Sequence, residues 1–351
     1  MTGIWQDEGV AAHHGDPFRE QRVLAEAVGV VDRSNRGVLT VSGPDRLGWL
    51  HNLTTQYLSD LAPLTGTELL VLSPHGHIEH HAVVVDDGET SWLDVEPGTA
   101  PALLEFLERM RFLTRVECRD VSTEYAVLSL VGPSTPRALA ALGLTDPLAE
   151  PDILPVPGPK FPSGSIPPRP TALYAAARLP DGGLARRMPY GADLLIPRSA
   201  VAGTLATLAA ADVPACGTWA FEALRVAARR PRLGYETDHR TIPHEVNWLA
   251  TTVQLEKGCY RGQETVARVH NLGRPPRRLV LLHLDQTPVE LPAAGTPVEL
   301  NGRQVGFVGT VVRHYELGGI ALAVIKRTTP DDAVLSVAGM NATIDTDDPA
   351  S

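Results

Sequence analysis

Cys259 stands in Lys257-Gly258-Cys259-Tyr260-Arg261-Gly262-Gln263-Glu264, a thiol between two glycines with a cation on either side. Glycine reaches positive φ and lets backbone approach a ligand closely, so a loop here can present the thiol or hug a bound molecule. Lys257 and Arg261 would favour the thiolate, the reactive form of cysteine. The same residues also suit a buried structural cysteine in a tight turn, and spacing alone leaves both readings open. Tyr260, beside the thiol, is the aromatic best placed to face a ligand. A second stretch, His75-Gly76-His77-Ile78-Glu79-His80-His81, concentrates imidazoles around one carboxylate. Run as a strand, it puts His75, His77, Glu79 and His81 on one face, a donor set suited to zinc or non-haem iron. A turn at Pro74–Gly76 takes His75 out of that row. The expectation is then a polar, pocket-lining edge of titrating imidazoles with no permanently bound metal. Cys118 and Cys216 sit in ordinary contexts and are assigned no chemistry.

Alternating strands and helices must position these residues. Residues 37–43 read as a strand and 44–50 open a helix, with Ser42 or Asp45 near its cap. Apolar runs at 69–73 and 82–85 flank the turn residues 74–77 and predict a hairpin. Residues 101–112 form an amphipathic helix, with Pro101 suited to its first turn and Leu103, Leu104, Leu107 and Met110 as its stripe. Further strands are expected at 125–130, 171–178 and 193–196, and helices at 201–211 and 219–229. Trp219, Phe221, Leu224 and Trp248 could stack on a flat ligand, although helical aromatics more often fill a core. Eight prolines within 151–170 exclude a helix or central strand there and predict a linker or surface excursion. From residue 277 the runs 279–283, 297–300, 305–313 and 320–325, separated by Asn301-Gly302 and Gly318-Gly319, read as a small all-β barrel.

With 351 residues, the chain is too long for one ordinary core. The expected division is an α+β region over 1–150, the linker over 151–170, a second α+β region over 171–274 and a barrel over 275–351, the two α+β regions interleaving. A formal charge of −10 argues against a protein that coats nucleic acid with its whole surface. Residues 225–278 nevertheless carry eleven Lys and Arg against five acids, a local +6 that leaves −16 elsewhere. That concentration could bind a polyanion, or could pair with the acidic first region across an interface. Three scattered cysteines with no C-x-x-C exclude a disulfide scaffold or a cysteine-only metal cage within one chain. With neither a signal-peptide pattern nor an 18-residue apolar run, the expected location is the cytosol, with no membrane partner.

The octapeptide K-G-C-Y-x-G-Q-E resembles the signature of YgfZ-type folate-binding proteins, within the glycine-cleavage T-protein (aminomethyltransferase) superfamily. The similarity runs upstream through Ala220–Arg225, Gly234-Tyr235-Glu236, Ile242–Glu245 and Trp248, and with the N-terminal hairpin and β-rich tail covers nearly the whole chain. The resemblance implies an α+β fold of three domains in a ring around a central channel that holds tetrahydrofolate or a one-carbon derivative, ending in a β-barrel. It implies an accessory protein for assembly or maintenance of iron–sulfur clusters in client enzymes, tRNA-modifying ones included, with Cys259 as the functional thiol. It also sets Gly258, Tyr260, Gly262, Gln263 and Glu264 near the folate, and more weakly Arg225, Glu236, Glu79 and His77. The chain departs from aminomethyltransferases at the hairpin, where their G-G-x-x-D-D aspartate has no counterpart. A Glu79 carboxylate in its place would be displaced by roughly 1 Å, enough to cost about 10²-fold in an oriented reaction. Their G-E-x-G-x-E motif is reduced to Tyr190-Gly191-Ala192-Asp193. Aminomethyl or related one-carbon transfer is the alternative activity, and a tRNA-binding module using 225–278 is a second.

Overall fold

A computed structural model of the chain describes residues 8–146, 148–154, 169–180, 182–285 and 290–346. Most of the proline-rich stretch expected as a linker lies outside them. Twelve strands make one sheet: β1 (Gly29–Asp32), β2 (Gly37–Ser42), β3 (Thr65–Leu72), β4 (Ile78–Asp86), β5 (Thr90–Val95), β6 (Glu117–Asp120), β7 (Tyr125–Val131), β8 (Asp152–Ile153), β9 (Ala172–Arg178), β10 (Leu184–Met188), β11 (Gly191–Pro197) and β12 (Ala215–Cys216). Their order is β12-β1-β7-β11-β10-β9-β3-β4-β5-β2-β6, with β8 on β9. Strands β9 to β11 thus insert between β7 and β3, and strands from both halves of the sequence share the sheet. β7, flanked by β1 and β11, is buried along Ala126–Val131 and reads accordingly as a near-continuous apolar run.

Helices pack on this sheet: α1 (Pro17–Glu26), α2 (Arg46–Leu53), α3 (Ala100–Arg109), α4 (Thr135–Ala141), α5 (Val201–Ala210), α6 (Thr218–Ala227), α7 (Leu249–Thr252) and α8 (Gln263–Leu272). In α1, Asp16 caps the free N–H groups of Phe18 and Arg19. In α3, Leu103, Phe106 and Leu107 turn inward at helical spacing and join the core formed by β2 to β5.

Strands β13 (Arg277–Leu284), β14 (Pro297–Leu300), β15 (Arg303–His314), β16 (Gly318–Lys326), β17 (Val334–Val337) and β18 (Met340–Ile344) close a six-stranded antiparallel barrel. Alternation along β16 explains how the barrel joins the rest. Ala321, Ala323 and Ile325 fill its interior, while Ile320, Leu322 and Val324 pack outward against a core that includes Leu70, Ile78, Trp248, Tyr260 and Val266. The Gln21 side chain of α1 donates to Arg313 O at 2.9 Å and accepts from Tyr315 N at 2.9 Å, pinning the barrel to the first helix. No helix among the described residues is long and apolar enough to cross a membrane.

Candidate functional site: a central cavity with a buried ionic floor

The hairpin β3–β4 does not present its histidines as simple alternation predicts. Val71 pairs with His80 and Leu72 with Ile78, so Glu79 is an extra residue, a β-bulge. The bulge reverses facing for everything before it. Ile78 and His81, an odd number of residues apart, therefore share a face with Leu70 and Leu72, and His80 turns the opposite way against Phe106, ring centroids 6.1 Å apart. Burial beside Arg109 and Arg261 pushes His80 down to about 4. Glu79 points outward and pairs with Arg261 at 2.9 Å. With His75 in the turn, the row that alternation would give His77, Glu79 and His81 is broken by one inserted residue. Among the described residues, no group of three or more His, Cys, Asp or Glu gathers to hold a metal ion.

His81 faces a cavity of about 1080 Å³ whose wall draws on β3, β4, the end of β5, Tyr190 and Asp193, α6 and the loop behind it, and the C-terminal end of α8. Its floor is a chain of buried ion pairs. Arg36 meets Asp94 at 2.8 Å and Glu96 at 2.9 Å, and Arg186 meets Asp94 at 2.7 Å and Asp193 at 2.9 Å. Arg232 meets Glu96 at 2.7 Å and Glu222 at 3.2 Å, and Arg225 meets Glu222 at 2.8 Å. Burial works against each carboxylate, but the adjacent guanidinium groups outweigh it and hold Asp94, Glu96 and Glu222 below their ordinary range. Every one of these acids is ionised and already partnered. Gly66 makes the crossing possible: a Cβ there would lie 3.0 Å from Arg186 Cδ and 2.7 Å from Val84 O.

Above that floor, His81 Nε2 lies 3.0 Å from Glu68 Oε2, and its ring stacks on Trp248 at 4.5 Å with 6° between planes. Tyr174 Oη donates to Glu68 Oε1, and Arg230 approaches it at 3.4 Å. Tyr190 Oη donates to Asp193 at 2.7 Å while its ring meets Phe221 edge-on at 5.3 Å. At the far wall, both ring nitrogens of His244 are buried without a hydrogen-bond partner among the described residues. Burial, with His270 nearby at 6.3 Å between centroids, lowers His244 to about 4 and keeps it neutral.

The octapeptide lies elsewhere. Gly262, at φ 82°, caps α8 and sits against the hairpin turn: a Cβ would come within 2.6 Å of Ser73 O and 2.9 Å of Gly76 Cα. The two stretches singled out in the sequence are thus neighbours, joined by this contact and by Arg261–Glu79. Lys257 is buried, and its ammonium donates to the carbonyls of His51, Thr54 and Gln56, the last two at 2.6 and 3.0 Å. Burial draws it down to about 7. Gln263 Nε2 returns to Lys257 O at 3.2 Å, and Glu264 pairs with Arg268 on the exposed face of α8. Tyr260 is packed in the core with Lys257 over its ring at 5.2 Å, and burial raises its hydroxyl. Cys259 is exposed, whereas burial lifts the thiols of Cys118 and Cys216 to about 12.

Of the site residues chosen from the sequence, Arg225 lines the cavity; the octapeptide, His77, Glu79 and Glu236 do not. Glu236 is fully buried against the barrel, accepting from Thr310 Oγ1 at 2.6 Å and Arg232 N at 2.7 Å, with Gly309 leaving it room. Lys257 and Arg261, read as cations that activate the thiol, each have other partners, three carbonyls and a carboxylate. The cavity residues not chosen had unequal signals. Tyr190 and Asp193 are what remains of the reduced G-E-x-G-x-E stretch, Arg230 and Arg232 belong to the basic segment, and Glu68 has none. Within the basic segment, Arg230 and Arg232 do meet acids of the first region, Glu68 and Glu96, while Arg229 meets Asp345 of the barrel at 3.3 Å.

The GCVT N-terminal domain family matches residues 13–151. Over 317 residues the chain is 28% identical to a chloroplastic Arabidopsis thaliana protein named as a transferase, an alignment that spans 87% of this chain and 66% of that one. It is 29% identical over 320 residues to an aminomethyltransferase of Shouchella clausii, spanning 87% and 81%. The crystal structure of the glycine cleavage system aminomethyltransferase T from Bartonella henselae superposes with a TM-score of 0.72 at 18% identity, over 93% of this chain and 87% of that one. The chain therefore has the fold of the glycine-cleavage aminomethyltransferases, mixed α+β with a closed C-terminal barrel. Residues 13–151 are similar to a GCVT N-terminal domain, and most of the chain is similar to aminomethyltransferases.

Proposed function

We propose that the protein is a YgfZ-type accessory factor of the cytosol that binds a reduced folate in the central cavity and supports iron–sulfur client enzymes through the exposed thiol of Cys259. One observation carries the preference over group transfer: among the described residues, the cavity offers no unengaged carboxylate. Glu79 is outside with Arg261, His80 is turned to Phe106, and Asp94, Glu96, Asp193 and Glu68 are each bound to cations or donors. A carboxylate that must take a proton from an ammonium or amine needs an accessible lone pair, and those of the carboxylates lining the cavity are engaged.

The wall fits a folate. It has the volume, and in Trp248 and Tyr190 flat rings on which a pterin or aminobenzoate could stack. Bound tetrahydrofolate would supply a one-carbon carrier; this chain's residues would bind and orient it and exclude water. A single cysteine cannot hold a cluster, so contact with one is transient or shared with the client.

The test is the activity of a [4Fe–4S] enzyme in extracts of cells lacking the protein, after supplying wild type or Cys259→Ala. Restoration by wild type alone supports the reading, restoration by both removes the thiol from it, and unchanged activity without the protein sinks it. Aminomethyl transfer is the second reading, favoured by the names of the relatives. Tetrahydrofolate-dependent aminomethyl transfer by the purified protein would establish it. tRNA is a further proposed partner; steeply salt-dependent binding supports it, and no affinity at low salt removes it.

A further inference from the structure

The geometry points to His81 as the residue that recognises the cavity ligand, accepting a hydrogen bond at Nδ1 from an N–H of a nitrogen heterocycle, with Glu68 as its positioning residue. The proposal rests on the folate reading, since a reduced pterin supplies such N–H groups.

The argument begins with Glu68. Its carboxyl is completely buried, and although burial alone would raise it, the hydrogen bonds of His81 and Tyr174 and the charge of Arg230 hold it well below its ordinary range. An ionised carboxylate only accepts, so the 3.0 Å contact assigns the proton to His81 Nε2. A neutral imidazole protonated at Nε2 has its lone pair at Nδ1. That atom has no hydrogen-bond partner among the described residues and is not sealed from solvent, and the side chain lines the cavity. Three further contacts remove the ring's freedom. Trp248 covers one face at 4.5 Å, Tyr174 Oη occupies the other oxygen of Glu68, and Arg230 closes on the same carboxylate. A side chain fixed in tautomer and plane, with one unspent acceptor toward a large cavity, is built to read a donor. The bulge at Glu79 is what brings His81 to this face, so the device depends on a single inserted residue.

A purely structural role for His81 makes the opposite forecast from a recognition role, and two substitutions separate them. Gln at 81 places its amide near Nε2 and can keep the bond to Glu68; Asn places its amide near Nδ1 and loses that bond. Binding of 5-formyltetrahydrofolate would be measured by titration calorimetry on the full chain, alongside urea midpoints. The expected result is His81→Gln near wild type in stability with affinity about tenfold weaker, the loss of one hydrogen bond. His81→Asn should be less stable yet within about threefold in affinity. Equal affinities for all three proteins, or a ranking in which His81→Asn binds worse than His81→Gln, overturn the proposal and leave the folate reading standing. No binding by wild type overturns the folate reading and this ligand assignment together. Independently of any ligand, nitrogen-15 NMR of the free protein at pH 8 should show His81 as the Nε2–H tautomer; an Nδ1–H tautomer overturns the proposal.

Discussion

Replacing Gly262 by alanine tests how the two chemistry-bearing stretches are held together. Gly262 has φ 82°, where an L-residue costs roughly 1–2 kcal/mol. Its Cβ would also lie 2.6 Å from Ser73 O, 2.9 Å from Gly76 Cα and 3.1 Å from Gly76 N. All three are backbone atoms of the hairpin turn, so no flexible side chain can swing aside, and overpacking of this kind adds about 1–3 kcal/mol. Gly262→Ala should therefore lose about 3 kcal/mol in urea unfolding followed by tryptophan fluorescence. Gly258→Ala, immediately before the thiol, has nothing within 4 Å and no positive φ, and should stay within about 0.5 kcal/mol of wild type. Gly76→Ala meets Thr265 Cβ at 2.7 Å on the same contact, so its loss should be less than additive with that of Gly262→Ala. A Gly262→Ala protein within 1 kcal/mol of wild type, or a Gly258→Ala protein equally damaged, would refute the packing argument.

Lys257→Met keeps the aliphatic stem but leaves three buried carbonyls without a donor; set against the relief of burying an ammonium, about 2 kcal/mol should be lost. The rate of Cys259 with a thiol reagent should not change, and a slower rate at unchanged stability would restore Lys257 as its activator. Native protein should show one fast thiol with dithiobis-nitrobenzoate, absent in Cys259→Ser, and three after denaturation, because Cys118 and Cys216 are buried. Glu68 is lower in the folded state, at about 2, than its ordinary unfolded value near 4.3, so the unfolded chain binds more protons between those values. Stability from this group is present above about pH 4.5 and is lost as pH falls to about 2, by roughly 3 kcal/mol. Glu68→Gln should flatten that part of the acid-stability curve, and an unchanged slope would contradict the assignment.

Much of the architecture was legible because its causes are local. Apolar runs bounded by Asn-Gly and Gly-Gly mark β13 to β16 of the barrel, though not β17 and β18, and Pro101 with a helical stripe marks α3. Among the elements that the sequence patterns did not mark, two escaped for different reasons. α1 carries an Asp16-Pro17 start that a closer reading of capping would have found. α8 starts on a left-handed glycine with no side-chain cap, so its N-terminus has no compositional signal. The special residues at 257–264 and 75–81 fall where the backbone is unusual, at the left-handed Gly262 and the bulge at Glu79.

The sequence by itself determined most of the barrel, the helical stripes and the glycine-dependent loop, because each follows from the periodicity or conformational range of neighbouring residues. The tertiary structure alone decided which side chains share the cavity. One bulge at Glu79 exchanged the faces of the hairpin, sending Glu79 out to Arg261 and His81 in to Glu68. Lys257, close to the thiol in sequence, was drawn to carbonyls some two hundred residues earlier because a buried ammonium must find acceptors. Strand pairing between β3 and β9, and the arginines that cross it, brought Glu68, Tyr174, Arg230 and Asp193 together from distant parts of the chain. No local pattern encodes such a meeting, since it depends on which strands become neighbours and on which charges burial then forces into pairs.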